Sequence, residues 1–158
     1  MLSKRTAVIG LGNTLRRDDG IGIIVLESLL NHYKREAIDY LNFGTASFSL
    51  MHRLQDYDLA LLIDGISSGL PAGELKIFVL EEASFTERDG AISSHELNLK
   101  DIFRLTRNLG IKTRIYVAGI QIEDTGFGES LSGLLKEKLE RITRRVAPIV
   151  GTATANNI

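Results

Sequence analysis

Ala7-Val-Ile-Gly-Leu-Gly-Asn-Thr-Leu-Arg-Arg-Asp-Asp-Gly-Ile-Gly22, close to the amino terminus, is the stretch on which the reading of this chain turns. Thr6 to Gly12 is a short apolar run stopped by glycine, as expected of a strand buried on both faces of a sheet. A polar loop with two adjacent carboxylates, Asp18 and Asp19, follows. From Ile21 the apolar residues recur at Ile24, Val25 and Leu29, with Leu26 and Leu30 widening the stripe. That is helical spacing, and the helix is expected to end near His32. A strand, a glycine turn and a helix in this order place polar side chains at the carboxyl edge of an α/β sheet, where ligand sites gather.

The pattern repeats downstream. Ala37 to Phe43 reads as a second strand and Ser47 to Leu54 as a short helix, with Phe48, Leu50 and Leu54 available for burial. Leu59-Ala-Leu-Leu-Ile63 is uninterrupted and apolar, a central strand that delivers Asp64 and Gly65 at its carboxyl end. Gly69 to Gly73 is a loop by composition. Glu74 to Leu80 alternates, with Leu75, Ile77 and Val79 on one face. After a polar stretch from Glu81 to Gly90, Ser93-x-x-Glu96 reads as a capping box opening a helix to about Leu109, with Leu99, Ile102, Phe103 and Leu105 inward. Ile111 to Ile120 supplies a fifth strand, and Glu123 to Gly128 a loop. The last helix, from near Ser132 to Val146, buries Leu135, Leu139, Ile142 and Val146. Alternating strands and helices predict an α/β fold: a single-domain three-layer α/β/α sandwich with a mostly parallel, about five-stranded sheet. Residues 1–150 form that domain, and 151–158 are expected to be a frayed tail.

Composition excludes several classes of function. The 158 residues fit one domain, and the net charge of -1 gives no electrostatic case for nucleic acid or anionic lipid. No apolar run approaches the roughly 20 residues that span a bilayer, so no membrane partner is expected. Met-Leu-Ser-Lys-Arg5 leads directly into a strand and lacks a small-residue cleavage site, so no leader is expected. With no cysteine, disulfides, thiolate nucleophiles and cysteine-held metals are ruled out. The expected protein is cytoplasmic and monomeric.

Three polar residues stand at places where chemistry gathers. Asp18-Asp19 can be read as an N-cap favoured by the helix dipole, or as a site pair; adjacent carboxylates repel, and a cation is the natural compensation. Asp64, ending an apolar strand, is either a turn residue capping Gly65 or a site residue at the sheet edge. The first strand and the Leu59–Ile63 strand are expected to be neighbours, which brings Asp19 and Asp64 toward one crevice. His95, in the first turn of the helix predicted after Ser93, would be kept neutral by the dipole and able to donate a lone pair to a metal. His32 suits a helix end and His52 a polar surface. Two carboxylates and one imidazole with open positions suit a divalent metal such as zinc or nickel. Such a metal polarises an amide carbonyl and acidifies a bound water, which is hydrolytic chemistry. Gly10-Leu-Gly12 also invites a dinucleotide reading, but position 15 is Leu where the third glycine belongs, and the glycines more simply permit a tight turn.

Taken together, Gly10 to Gly22, the strand ending at Asp64, and Ser93-Ser-His95 resemble the hydrogenase maturation endopeptidases, over nearly the whole chain. The resemblance implies an α/β/α protein that removes a carboxyl-terminal extension from the large-subunit precursor of a [NiFe]-hydrogenase after nickel insertion. It implies that Asp19, Asp64 and His95 are both catalytic and metal-binding, with nickel arriving on the precursor as the recognition element. Another divalent metal could occupy the same residues adventitiously. Asn13 and Asp18 then support the loop. Two departures stand out: the first metal-binding acid is often glutamate in that family and is Asp19 here, and Ile122 stands where the family often has proline. The alternative is a non-catalytic maturation chaperone or metal-binding protein using the same ligands.

Overall fold

Residues 4–81 and 98–155 are described by the computed structural model. Strand β1 (Thr6–Leu11) is buried along its entire length, as its unbroken apolar run requires. A 3-10 turn at Arg17–Gly20 leads into α1 (Ile21–His32). Next come β2 (Ile38–Gly44), α2 (Phe48–Leu54), β3 (Leu59–Ile66) and β4 (Leu75–Val79), then α3 (Leu99–Asn108), β5 (Arg114–Gln121) and α4 (Gly133–Ala155).

The sheet is five-stranded in the order β2-β1-β3-β5-β4. Its first three pairings are parallel and β4 runs antiparallel to β5. Strand β1 lies beside β3 with Gly10 opposite Ile63, as the apolar character of both runs led us to expect. The period of two sorts the side chains into two cores. Val8, Leu61, Ile63, Ala118 and Ile120 pack with α1 and α4, while Ala7, Ile9, Leu62, Ile115 and Val117 pack with α2 and α3. The result is the mostly parallel α/β sandwich expected from the strand–helix alternation.

The close fit of α1 to the sheet depends on Gly22. A Cβ at Gly22 would lie 2.2 Å from the carbonyl oxygens of both Leu11 and Ile63. The first turn of α1 therefore sits directly on the carboxyl end of β1 and on β3 at Ile63, and no side chain fits between.

Several boundaries differ from the sequence reading, each for a physical reason. Helix α3 is capped by Asn98, whose side chain accepts from the Asp101 amide while Asp101 returns the bond to the Asn98 amide. The capping box is thus Asn98-x-x-Asp101, and Ser93-x-x-Glu96 lies outside the described residues. Helix α4 continues past Val146 and through Pro148 to Ala155, so the first five residues of the expected tail are helical. A proline inside a helix costs about 3 kcal/mol. Here the apolar stripe through Ile142 and Val146 carries on at Val150, and all three are buried. Phe48 is exposed, whereas Leu50, Met51 and Leu54 fill the core beneath α2. Ile77, on the edge strand β4, is likewise partly exposed.

Gly22→Ala should reverse the sign that helix propensity assigns it. Alanine is worth about 1 kcal/mol over glycine in a helix, yet the two carbonyl clashes should turn this into a loss of about 2 kcal/mol or more in chemical denaturation. A stabilised variant would mean that α1 does not rest on the strand ends.

Candidate functional site

The site is built where β1 and β3 end. After Leu11 the chain turns at Gly12, whose φ of +145° is open to glycine and closed to other residues. A Cβ there would also meet the Asp19 carbonyl oxygen at 2.1 Å. The chain thus folds back so that Arg17–Gly20 lies over the end of β1. Gly12 serves this turn, whereas Gly10, inside β1, makes room for α1: a Cβ there would lie 2.9 Å from the Gly22 carbonyl oxygen and 3.0 Å from Leu26 Cβ.

Asp18 is 0% exposed, and its carboxylate is surrounded by donors from far along the chain. Oδ1 accepts from the Ser132 amide at 2.7 Å. Oδ2 accepts from the amides of Glu123 (3.1 Å) and Asp124 (2.8 Å) and from the Ser132 hydroxyl (2.9 Å). The segment joining β5 to α4 is thereby tied to the segment joining β1 to α1. Backbone bonds complete the seam: Asp18 N to Asp124 O, Arg17 N to Gly128 O, and Gly128 N to Leu15 O. Arg17, with φ +46°, adopts the left-handed region uncommon for a residue with a side chain. Its guanidinium pairs with Asp124. The Gly126 amide and then Arg17 hold the Asp124 carboxyl below its ordinary range.

Asp19 is 4% exposed, and its Oδ2 accepts from the Asn13 amide at 3.1 Å. The Asn13 side chain in turn accepts from the Leu15 amide. Neither aspartate caps α1: its N-cap is Gly20, and no side chain bonds there. The capping alternative for the acidic pair therefore falls. Asp18 is the brace of the two loops, and Asp19 is the acidic group at the rim.

Asp64 is 3% exposed and lies within β3, paired with Gly119 of β5. Because β5 runs on to Gln121, β3 continues to Ile66 and no turn forms at Gly65. The turn reading of Asp64 falls with it. By strand parity Asp64 belongs to the face of Ala60 and Leu62, which α2 and α3 cover. Gly65 lies against the acidic loop: a Cβ there would be 3.3 Å from Ile21 Cγ2 and 3.5 Å from the Asp18 carbonyl oxygen. The structure thus brings the segments carrying Asp19 and Asp64 together at one rim. His95 lies outside the described residues. Among the described residues no group of three or more histidine, aspartate or glutamate side chains gathers in a way that could hold a metal. What they supply is two buried carboxylates, hard oxygen donors suited to a divalent cation but short of a complete set.

The model of the hydrogenase maturation protease family matches residues 23–149. The chain belongs to that family. The matched span includes Asp64 and His95 and begins just past Asp19. Among solved structures, the chain is similar to the [NiFe] hydrogenase maturation protease HycI from Thermococcus kodakarensis, with 30% identity and a TM-score of 0.73 over 94% of this chain and 93% of that one. It is also similar to the hydrogenase maturating endopeptidase HybD from Escherichia coli, with 26% identity and a TM-score of 0.78 over 93% and 92%. The hydrogenase expression/formation protein HupD of Thiocapsa roseopersicina is 28% identical over 84% of this chain, which spans 61% of that relative's length. Membership places the chain among the peptidases, with the α/β sandwich that those structures share.

Sequence reasoning missed two features of the site. Ser132 opens α4 in sequence and gave no sign of meeting Asp18. Asp124-x-Gly126 could have been found, since an aspartate two residues before a glycine is an Asx-turn signal, and Oδ1 of Asp124 does accept from the Gly126 amide at 2.9 Å. At Ile122 the amide donates to the Ile66 carbonyl at 3.1 Å, a bond that a proline there could not make.

Asp18→Ala should strand four donors in a buried seam and lower stability by about 3 kcal/mol or more. Ser132→Ala, which removes one of them, should cost about 1 kcal/mol. Urea titration of both variants checks the pair; an Asp18→Ala loss no greater than that of Ser132→Ala would refute the brace.

Proposed function

We propose that this protein is an endopeptidase that removes a carboxyl-terminal extension from a nickel-loaded [NiFe]-hydrogenase large-subunit precursor. The single observation that carries this reading is that the segments bearing the buried Asp19 and Asp64 meet, with Gly65 against the loop of Asp18, in a fold shared with hydrogenase maturation proteases. Asp19, Asp64 and His95 are the proposed metal contacts. In support, α3, which follows His95 in sequence, packs on the sheet face to which Asp64 belongs.

Nickel enters in this reading as cargo of the precursor. Bound beside the susceptible peptide, it would supply Lewis-acid polarisation of a neighbouring carbonyl. The chain's own part is to position and to exclude. Asp19, tethered through its Oδ2 to the Asn13 amide, presents carboxylate oxygen from a fixed backbone. Asp64 presents a second carboxylate from the interior of a strand, where its backbone cannot shift without breaking the pairing with β5. A carboxylate so placed can take a proton from the attacking water. Hydrolysis then adds hydroxyl to the carbonyl carbon, breaks the C–N bond, and returns the proton to the leaving amine. The cytoplasm is the proposed compartment; no helix among the described residues is long and apolar enough to cross a membrane.

Asp19→Asn and Asp64→Asn should each slow processing of nickel-loaded precursor by about a hundredfold or more, with circular dichroism and thermal midpoint near wild type. His95→Ala should likewise abolish processing with the fold nearly intact. The assay is the mobility shift of purified precursor, loaded or nickel-free, on incubation with the protein. Shortening of the loaded form alone is the expected result. Binding without shortening would favour the chaperone alternative, and equal cutting of both forms would remove nickel from the reading.

A further inference from the structure

The seam around Asp18 ends in an apolar rim that the chemistry of Asp19 does not use. Phe127 is 89% exposed, the most exposed large hydrophobic side chain among the described residues, and Leu15 is 59% exposed. The Gly128 amide donates to the Leu15 carbonyl at 3.0 Å, which ties the backbone next to Phe127 to that of Leu15. Single exposed hydrophobics are ordinary on protein surfaces; a braced pair beside a site is not. The loop bearing Phe127 is fixed at Asp124 by Asp18 and Arg17, at Thr125 by the Arg16 Nε, and at Gly128 by the Arg17 amide. The ring is therefore presented from a rigid frame, and a partner that covered it would meet little loop-ordering cost.

Arg16 supplies the polar half of the rim. Its guanidinium lies 5.5 Å from the centroid of the Phe127 ring, and its Nε donates to the Thr125 carbonyl. No carboxylate among the described residues pairs with it, in contrast to Arg17, which pairs with Asp124. A half-buried guanidinium on an aromatic face, with its other donors open, is complementary to an apolar side chain that has a carboxylate beside it. Arginine and aromatic residues in such surroundings are the usual anchors of protein interfaces.

We propose that Leu15, Arg16 and Phe127 form the docking rim for the precursor protein, taking an apolar side chain and an adjacent carboxylate from the chain that flanks the susceptible bond. The inference rests on the proposed proteolysis for the identity of its occupant. Position argues for this occupant: Leu15 and Arg16 lie four and three residues ahead of Asp19 on the same loop.

The test compares wild type with Phe127→Ala, Leu15→Ala, Phe127→Tyr and Arg16→Gln, using full-length chain and nickel-loaded precursor. Binding is measured by calorimetry and cleavage by steady-state kinetics, at low and high salt. Phe127→Ala should raise KM and Kd about tenfold with kcat within twofold and an unchanged thermal midpoint, and Leu15→Ala should act in the same direction. Phe127→Tyr should restore affinity. Arg16→Gln should weaken binding at low salt and flatten its salt dependence. An unchanged KM in Phe127→Ala, a fall in kcat alone, or a loss of folding would overturn the proposal. So would a wild-type dimer that Phe127→Ala dissociates while KM stays constant, because the rim then serves a second copy. Wild type that binds precursor through Phe127 without cutting it would sink the protease reading and leave the rim standing; wild type that neither binds nor cuts would sink both.

Discussion

A carboxylate with no exposure to water must have its charge met by donors, and at Asp18 four of them arrive from residues 105 to 114 positions away. Removing an ionised carboxylate from water costs several kcal/mol unless its lone pairs are filled. Each Asp18 oxygen is filled by the segment between β5 and α4. The two loops cannot separate without taking the acceptor away from these four donors. Everything that stands on these loops inherits their rigidity: Asp19 next door, the left-handed Arg17, and the Leu15–Phe127 rim. The sheet provides the floor, and Asp18 closes the rim above it.

The two adjacent aspartates stand in different surroundings. One is turned inward and surrounded by donors from the far loop. The other lies over the end of β1, where one carboxylate oxygen meets the Asn13 amide. Adjacent positions in the 3-10 turn thus meet different partners, Asp18 the far loop and Asp19 the Asn13 amide. Across the solved structures named above, identities of 26% and 30% accompany a closely similar fold, as expected when a small set of seams and strand ends fixes the geometry.

The fold was legible in the sequence to the extent that burial is periodic. The unbroken runs at Thr6–Leu11 and Leu59–Ile63 gave the central strands and their adjacency, and the 3.6-residue stripe gave α1. Boundaries set by single bonds were less visible. Asn98 and Asp101 cap α3 through side-chain geometry, whereas the Ser93-x-x-Glu96 match lies outside the described residues. The carboxyl end of α4 depends on Val150 and Gly151 being buried against the rest of the chain, and Pro148 pointed the other way. In the site, local sequence gave the acidic pair and the strand aspartate. It could not say which aspartate faces inward, because that is decided by Ser132 and Glu123, more than a hundred residues on.

The claim at the centre is that the Asp18 carboxylate holds Asp19 in place by holding the two loops as one unit. Amide hydrogen exchange in Asp18→Asn tests this most directly, with the Asn13 amide as reporter because it donates to Asp19. The account requires exchange at Glu123, Asp124, Ser132 and Asn13 to accelerate together by at least about tenfold, while amides in β3 keep their protection. If the Asn13 amide exchanges at its wild-type rate while the other three accelerate, Asp18 braces only the far loop and the placement of Asp19 has another cause.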